Sequence, residues 1–383
     1  MARWSRQIVF GDVDAMFASS AIVANPALVG KLVAVGSSPP RGIITSASYP
    51  ARRFGVKAAM PTAHALRLCP DLVLVPSDRP LYQRMHERMR EVTDRLFPTT
   101  EWTSIDEFYA DTTALQSLHR DPVALGRAVK DAIFEATRLC CTVAIATGKT
   151  IAKVAADAHK PDGLVAVEPG TEAAFLALQP VRSLPGIGPK TAAQLEHLGI
   201  HRVGELLHPR HEPSLRQLWG RHFPVMQALA RGEDHEPVVP DRDQKSLGHE
   251  TTFDQDTDDL TFLEGTVRGF LSTLAHELRV EGLAAGAFTV KLKDAKFKIT
   301  TRQRHFAELL NYDPLMWRDI RDALRSLIAP RTCYRLVGLS LSDLTPATES
   351  LFDQRTTKAM AAMDAIIEKH GASVMRLGAI PEE

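Results

Sequence analysis

The chain has 383 residues, 44% of them apolar, which is too much for one ordinary core and predicts two to four domains. Basic and acidic residues balance at 46 each, so this is not a uniformly basic nucleic-acid binder. No stretch approaches the roughly 18 apolar residues of a membrane span. The N-terminus MARWSRQIVFGDVDAMF lacks a long apolar run, and Cys69, Cys140, Cys141 and Cys333 form no CxxC pair. Neither secretion nor thiolate zinc is expected, and a reducing cytoplasm is.

Taken in chain order, residues 6–14 read as a buried strand with an acidic end. Apolar bursts at 32–36 and 42–46 read as short strands about a turn at Pro39-Pro40. Helices are expected near 50–56 and 61–68, the second with Pro61 at its start, then over 80–95. The stretch 101–112 predicts strand–turn–strand, 122–138 a helix, 140–146 a strand and 149–158 a helix. From 171 to 235 the pattern is helical with short loops, and a charged linker follows. Residues 246–342 alternate again, with strands at 287–293 and 296–302 about a turn at Asp294-Ala295. Helices at 260–280 and 314–327 accompany them. A last helix is expected over 354–371. Acidic strand ends among alternating strands and helices indicate an α+β or α/β layer, with a second α+β domain of about 100 residues.

The zero net charge hides segregation. Residues 232–260 are strongly acidic, whereas 291–304 hold Lys291, Lys293, Lys296, Lys298, Arg302 and Arg304 against Asp294 alone. Period-two spacing puts each basic run on one face of its strand, a stripe able to follow a DNA backbone or simply to solvate a sheet. Arg41, Tyr49, Arg52, Arg53 and Lys57 form a second basic group.

Asp12 and Asp14 end the first strand, and alternation predicts that they share a face. Asp106 and Glu107 follow about 90 residues later. Carboxylates interrupting apolar strands repel one another, and a divalent cation offsets both the repulsion and the burial. Three or four of them suit Mg²⁺, and two ions about 4 Å apart activate a hydroxyl beside a triphosphate. The competing reading caps a turn with one pair and leaves the other on the surface, since spacing alone does not bring them together. Ala146-Thr147-Gly148-Lys149-Thr150 imitates the end of a P-loop, but Val143 stands where that motif needs glycine.

Leu184-Pro185-Gly186-Ile187-Gly188-Pro189-Lys190-Thr191 precedes a helix. Two glycines about one apolar residue expose backbone N–H groups that grip phosphate without reading sequence, the helix–hairpin–helix pattern.

Together, DVDAMFAS at 12–19, GIITSASYPARRFGVKAAMP at 42–61, SIDEFYAD at 104–111, AIATGKTIAKVAADAHKPDG at 144–163, LPGIGPKTAAQLEHLGI at 184–200 and KSLGHETTF at 245–253 resemble the Y-family translesion DNA polymerases, in particular the DinB/Pol IV-like branch. The resemblance implies a right-hand α+β fold. Its parts would be a palm over 1–17 and 77–170, fingers over 18–76 and a helical thumb over 171–235. A linker over 236–245, a little finger over 246–345 and a tail over 346–383 would complete it. It further implies that Asp12, Asp106, Glu107 and the Val13 carbonyl hold two Mg²⁺ ions, with Mn²⁺ able to substitute. Phe17 falls at the steric gate, and Tyr49, Arg52 and Lys160 at triphosphate contacts. Gly186, Gly188 and Lys190, with the basic strands, would meet DNA. Primer–template DNA and a dNTP are the implied partners, and a cytoplasmic, nucleoid-associated monomer is expected. Leu351 and Phe352 resemble a degenerate sliding-clamp peptide, which simple helix packing would also explain. Departures at Ser20, Ala21, Pro50 and Thr147-Gly148 leave the metal ligands in place. The rival readings are a catalytically silent scaffold of the same fold and a palm-domain cyclase; a cyclase needs no duplex grip.

Overall fold

The structure, a computed structural model, describes residues 4–118, 121–240 and 244–347, together with Ala362, Asp364, Ala365, Ile366 and Lys369. The chain divides into two compact units, Met1–Arg242 and Asp243–Glu383. Among the described residues no helix is long and apolar enough to cross a membrane.

In the first unit the strands are β1 (Ile8–Val13), β2 (Val33–Gly36), β3 (Ile44–Ala47), β4 (Val73–Val75), β5 (Thr100–Trp102), β6 (Glu107–Asp111), β7 (Cys141–Ala146) and β8 (Leu164–Ala166). β1 is the middle of a sheet ordered β5-β6-β1-β7-β8, antiparallel to both neighbours. Every residue of β1 is buried, because helices cover both faces. Val9 and Val13 belong to the core shared with helices Arg79–Leu96 and Pro122–Thr137. Ile8 and Phe10 belong to the core shared with helix Lys149–His159. A Cβ on Gly11 would lie 2.3 Å from the Phe108 ring, so glycine is what lets β6 close over β1 here. Period two then puts Asp12 on the Ile8–Phe10 face.

A smaller sheet, β3-β2-β4, has its own core around Ala34, Ile44, Val56 and Leu72. The helix expected near 50–56 is a single turn, Tyr49–Arg52. After β8 come short helices, among them Pro189–His197 and Phe223–Ala230. The acidic stretch beyond is not simply solvated. Asp234 is buried and accepts from Thr150 N at 2.6 Å, its carbonyl accepts from Arg6 Nη1 at 2.9 Å, and Val239 N donates to Glu101 Oε2 at 2.9 Å.

The second unit contains β9 (Ser246–Thr257), β10 (Leu283–Asp294), β11 (Ile299–Leu310) and β12 (Tyr334–Pro346) in the antiparallel order β11-β10-β12-β9. Helices Leu260–Val280 and Asp313–Leu327 cover one face, burying Leu263, Leu271, Met316 and Ile320 against Phe288, Val290, Leu292 and Leu339. The two strands expected here are longer than the sequence suggests and are joined by two more, and Lys296 and Lys298 lie in the turn rather than on β11. Lys291 pairs with Thr301 and Lys293 with Ile299, whereas Arg302 pairs with Val290 and Arg304 with Phe288. Cross-strand partners share a face. Lys291 and Lys293 therefore project from the open face, and Arg302 and Arg304 from the helix-bearing one. The two basic runs do not join into one surface. Asp364 accepts from Arg279 Nε at 2.7 Å and lies 2.8 Å from His276 Nδ1. Leu351, Phe352 and most of the helix expected over 354–371 lie outside the described residues.

Candidate active site

The register of the central sheet joins the two acidic pairs that spacing alone left apart. Asp12 is the cross-strand partner of Glu107, at the last rung shared by β1 and β6. Beyond that rung Val13 N donates to the Asp106 carbonyl at 3.0 Å, so the loop carrying Asp106 is stitched to the end of β1. Both carboxylates point toward helix Lys149–His159, whose lysines lie along that face. Lys149 Nζ is 5.0 Å from the Tyr109 ring centre and Lys153 Nζ is 5.0 Å from that of Phe10. Lys160, just past the helix end, is hydrogen-bonded to Asp12.

Each carboxylate thus has its own ammonium. Lys153 Nζ reaches both Glu107 oxygens, at 2.6 and 2.7 Å. Lys160 holds Asp12 and also Asp157 Oδ1 at 3.0 Å. Burial pushes the Asp12 carboxyl up to about 7, against the pull of Lys160 and with the Glu107 charge adding to the rise. Burial opposes ionisation of Glu107 as well, but its bonds to Lys153 and to Asp12 prevail and hold it below the usual carboxylate range. Burial disfavours the charged Lys160, yet the charge and hydrogen bond of Asp12 outweigh that and keep it above its ordinary value.

Asp106 Oδ1 accepts from the Ser104 hydroxyl at 2.6 Å, and the same hydroxyl oxygen accepts from Glu107 N at 3.1 Å. Among the described residues, no three His, Cys, Asp or Glu side chains are gathered to hold a metal. The donor set nevertheless suits a hard divalent cation. Two facing carboxylates at a strand end have their charge offset only by lysines, and a third carboxylate stands on the adjoining loop. Asp14 lies on the same side as Asp12, as alternation predicts, since its carboxylate meets Thr142, the cross-strand partner of Asp12. β1 stops at Val13, and the Asp14 carboxylate accepts from Asp162 N at 2.8 Å, the Thr142 hydroxyl at 3.1 Å and the Tyr49 hydroxyl at 3.2 Å. Asp14 is a structural clasp.

Left-handed Ala15 turns the chain from β1 into helix Met16–Ala24. Phe17, on its first turn, is half-buried and stacks on Tyr82 with ring centres 4.2 Å apart. Tyr49 is tied to this neighbourhood through Asp14; burial and then the Asp14 charge push its phenol up to about 12. Arg52 stacks its guanidinium 4.5 Å from the Tyr49 ring centre and donates Nε to Ala47 O at 2.9 Å, which leaves its remaining nitrogens directed by a fixed plane.

Gly186 has φ +91°, a backbone that L side chains rarely adopt, and it turns the chain so that Ile187 is buried while Gly188 caps helix Pro189–His197. Lys190 is exposed on the first turn of that helix. Lys149, the lysine of the P-loop look-alike, is buried, with Nζ 2.8 Å from Glu101 and 3.1 Å from Glu236. It is a strut rather than a phosphate ligand. Lys153, which holds Glu107, was not singled out by sequence reasoning. Its signal was the spacing of Lys149, Lys153 and Lys160, four and then seven residues apart, which stacks the three side chains along one face.

Models of known families match three regions in order. The impB/mucB/samB family covers residues 11–157, the IMS family HHH motif 169–200, and the impB/mucB/samB C-terminal domain 244–354. The DNA polymerase IV of Methanoculleus marisnigri is 37% identical over 351 residues, 90% of this chain and 96% of that protein. That of Halorhodospira halophila is 36% identical over 347 residues, 89% and 96% respectively. Among solved structures, a Y-family DNA polymerase chimera of Dbh and Dpo4 superposes with a TM-score of 0.81 at 26% identity, over 89% of this chain and 100% of that one. An insertion ternary complex of Dbh DNA polymerase does so with a TM-score of 0.64, at the same identity and coverage. The shared fold is the α+β right-hand polymerase fold, with a helix–hairpin–helix region and a C-terminal α+β domain. With three regions matched in order and relatives aligned over nearly their whole length, the chain belongs to the impB/mucB/samB family, in its DinB-like, Y-family branch.

Proposed function

We propose that this chain is a template-directed DNA polymerase of the translesion type, acting as a cytoplasmic, nucleoid-associated monomer. The reaction joins the primer 3′ oxygen to the α-phosphorus of a dNTP and releases pyrophosphate. The observation that carries this reading is the registered pair Asp12 and Glu107, each with its own lysine, at a strand end of a fold shared with polymerases.

Asp12, Glu107, Asp106 and the Val13 carbonyl would hold two Mg²⁺ ions, or Mn²⁺ in their place. When bound, the metal lowers the pKa of the primer hydroxyl and offsets charge on the phosphates. Asp106 would join the set while one of its oxygens accepts from Ser104. Lys160 keeps Asp157 as a partner when it leaves Asp12, so it is free to meet a triphosphate beside Tyr49 and Arg52. Phe17, stacked on Tyr82, presents a fixed ring to the sugar and excludes a 2′-hydroxyl. The backbone about Gly186 and Gly188, with Lys190 beside it, grips duplex phosphates. Phosphate contacts from the second unit come from Lys296 and Lys298 in the turn and from one of the two opposed pairs, Lys291 and Lys293 or Arg302 and Arg304. Leu351 and Phe352, outside the described residues, are read as a clamp-binding peptide. The silent-scaffold alternative gains no support, since all three carboxylates are present.

Primer extension on undamaged and lesion-containing templates tests the reading. Asp106→Ala should abolish extension and leave duplex binding nearly intact, and normal extension by that variant would contradict the metal assignment.

A further inference from the structure

Lys153 and Lys160 neutralise the same carboxylate pair, but they are not equivalent. Lys160 has a second carboxylate, Asp157, 3.0 Å away. Lys153 has Glu107 as its one carboxylate partner among the described residues, and it holds both oxygens of that group, at 2.6 and 2.7 Å. The two oxygens that Glu107 could offer a cation are therefore already taken by a monovalent one. The contact is accessible: the Lys153 and Glu107 side chains are 28% and 24% exposed. The ammonium also has somewhere to go, since its Nζ stands 5.0 Å from the centre of the Phe10 ring and a cation over that face is stabilised without a carboxylate.

We propose that Lys153 is a resident counter-ion of Glu107 that a divalent cation must displace, so that this lysine sets the affinity of the site for metal. The inference rests on the reading of Asp12 and Glu107 as metal ligands. While the site is empty of metal, Lys153 offsets the Glu107 charge opposite Asp12, as Lys160 offsets that of Asp12. The same charge opposes entry of a second cation. Lys153 is a positioning residue, acting on the reaction only through Glu107.

The experiment is Mn²⁺ titration of the full chain, without DNA or nucleotide, followed by the EPR signal of free Mn²⁺. Lys153→Met and Lys153→Gln remove the charge, Lys153→Arg keeps it, and Asp12→Asn reports whether binding depends on the carboxylate pair. Both neutral variants should bind Mn²⁺ about threefold to fivefold more tightly than the parent, the scale of one partly exposed ion pair, and the arginine variant should bind like the parent. Their metal-free Tm should fall, and saturating Mn²⁺ should raise it by more than in the parent, as expected when a ligand binds only the folded state. Equal or weaker Mn²⁺ binding by folded Lys153→Met and Lys153→Gln would overturn the role of Lys153 alone. Parent binding that is unchanged by Asp12→Asn would overturn the metal reading itself.

Discussion

Asp12 and Glu107 face each other across β1 and β6 with unequal protonation: burial holds the Asp12 carboxyl up at about 7, while Lys153 keeps Glu107 ionised. Of the two, Asp12 is the one that takes up a proton as the pH falls below neutrality in the absence of metal.

A pH dependence follows from Asp12. Its ordinary value is 3.8 and its folded value is about 7, so between these limits the folded chain holds a proton that the unfolded chain has released. Stability from this group is fully present below 3.8 and is lost as pH rises through about 7. In EDTA, the Tm difference between the parent and Asp12→Asn should shift against the parent across that window. A difference that stays constant with pH would contradict the assignment.

Phe17 is anchored by Tyr82, so shortening it opens space without unfolding the helix that carries it. Phe17→Ala should lower discrimination between dCTP and rCTP, measured as the ratio of kcat/KM values, by roughly 10- to 100-fold. It should cost about 2 kcal/mol of stability, less than for a fully buried ring. Unchanged discrimination would remove Phe17 from the sugar site.

Lys149 and Glu101 make a buried ion pair that also receives the chain near Glu236. Lys149→Met takes the ammonium away from the buried Glu101 carboxylate, which keeps its hydrogen bond from Val239 N, and urea denaturation should show a loss of about 3 kcal/mol. The double variant Lys149→Met/Glu101→Leu should recover most of it. A loss below about 1 kcal/mol in the single variant would mean that the pair is solvated.

The opposed orientation of the two basic runs makes a prediction that sequence spacing does not. A duplex lying against one face of the β11-β10-β12-β9 sheet meets Lys291 and Lys293 or Arg302 and Arg304, not both. Of the two double alanine variants, one should reduce the salt dependence of DNA binding by about two log units per log unit of salt, and the other should leave it nearly unchanged. Equal losses from both would contradict this.

Much of this site was legible because its parts are local. Carboxylates at the end of an apolar strand and two glycines about Ile187 each have a signature within a few residues, whereas Phe17 alone reads as a core aromatic and is singled out only by the family resemblance. What stayed hidden is non-local. The register that sets Asp12 opposite Glu107, and the one that turns Arg302 away from Lys291, are properties of paired strands rather than of either strand alone. Asp14 shares a side with Asp12, but the groups that occupy its oxygens come from Tyr49, Thr142 and Asp162, which spacing along the chain does not show. The acidic stretch after position 232 looked like solvated linker, because Arg6 and Thr150, which bind Asp234, lie far away in sequence.

The central claim is that Asp12, Asp106 and Glu107 converge on a divalent cation. Anomalous diffraction from crystals of the chain with Mn²⁺, primer–template DNA and a non-hydrolysable dNTP addresses it directly. The account predicts Mn²⁺ within about 2.3 Å of oxygens from all three side chains, with Lys153 withdrawn from Glu107. Mn²⁺ bound elsewhere, with Lys153 and Lys160 still on Glu107 and Asp12, would contradict it.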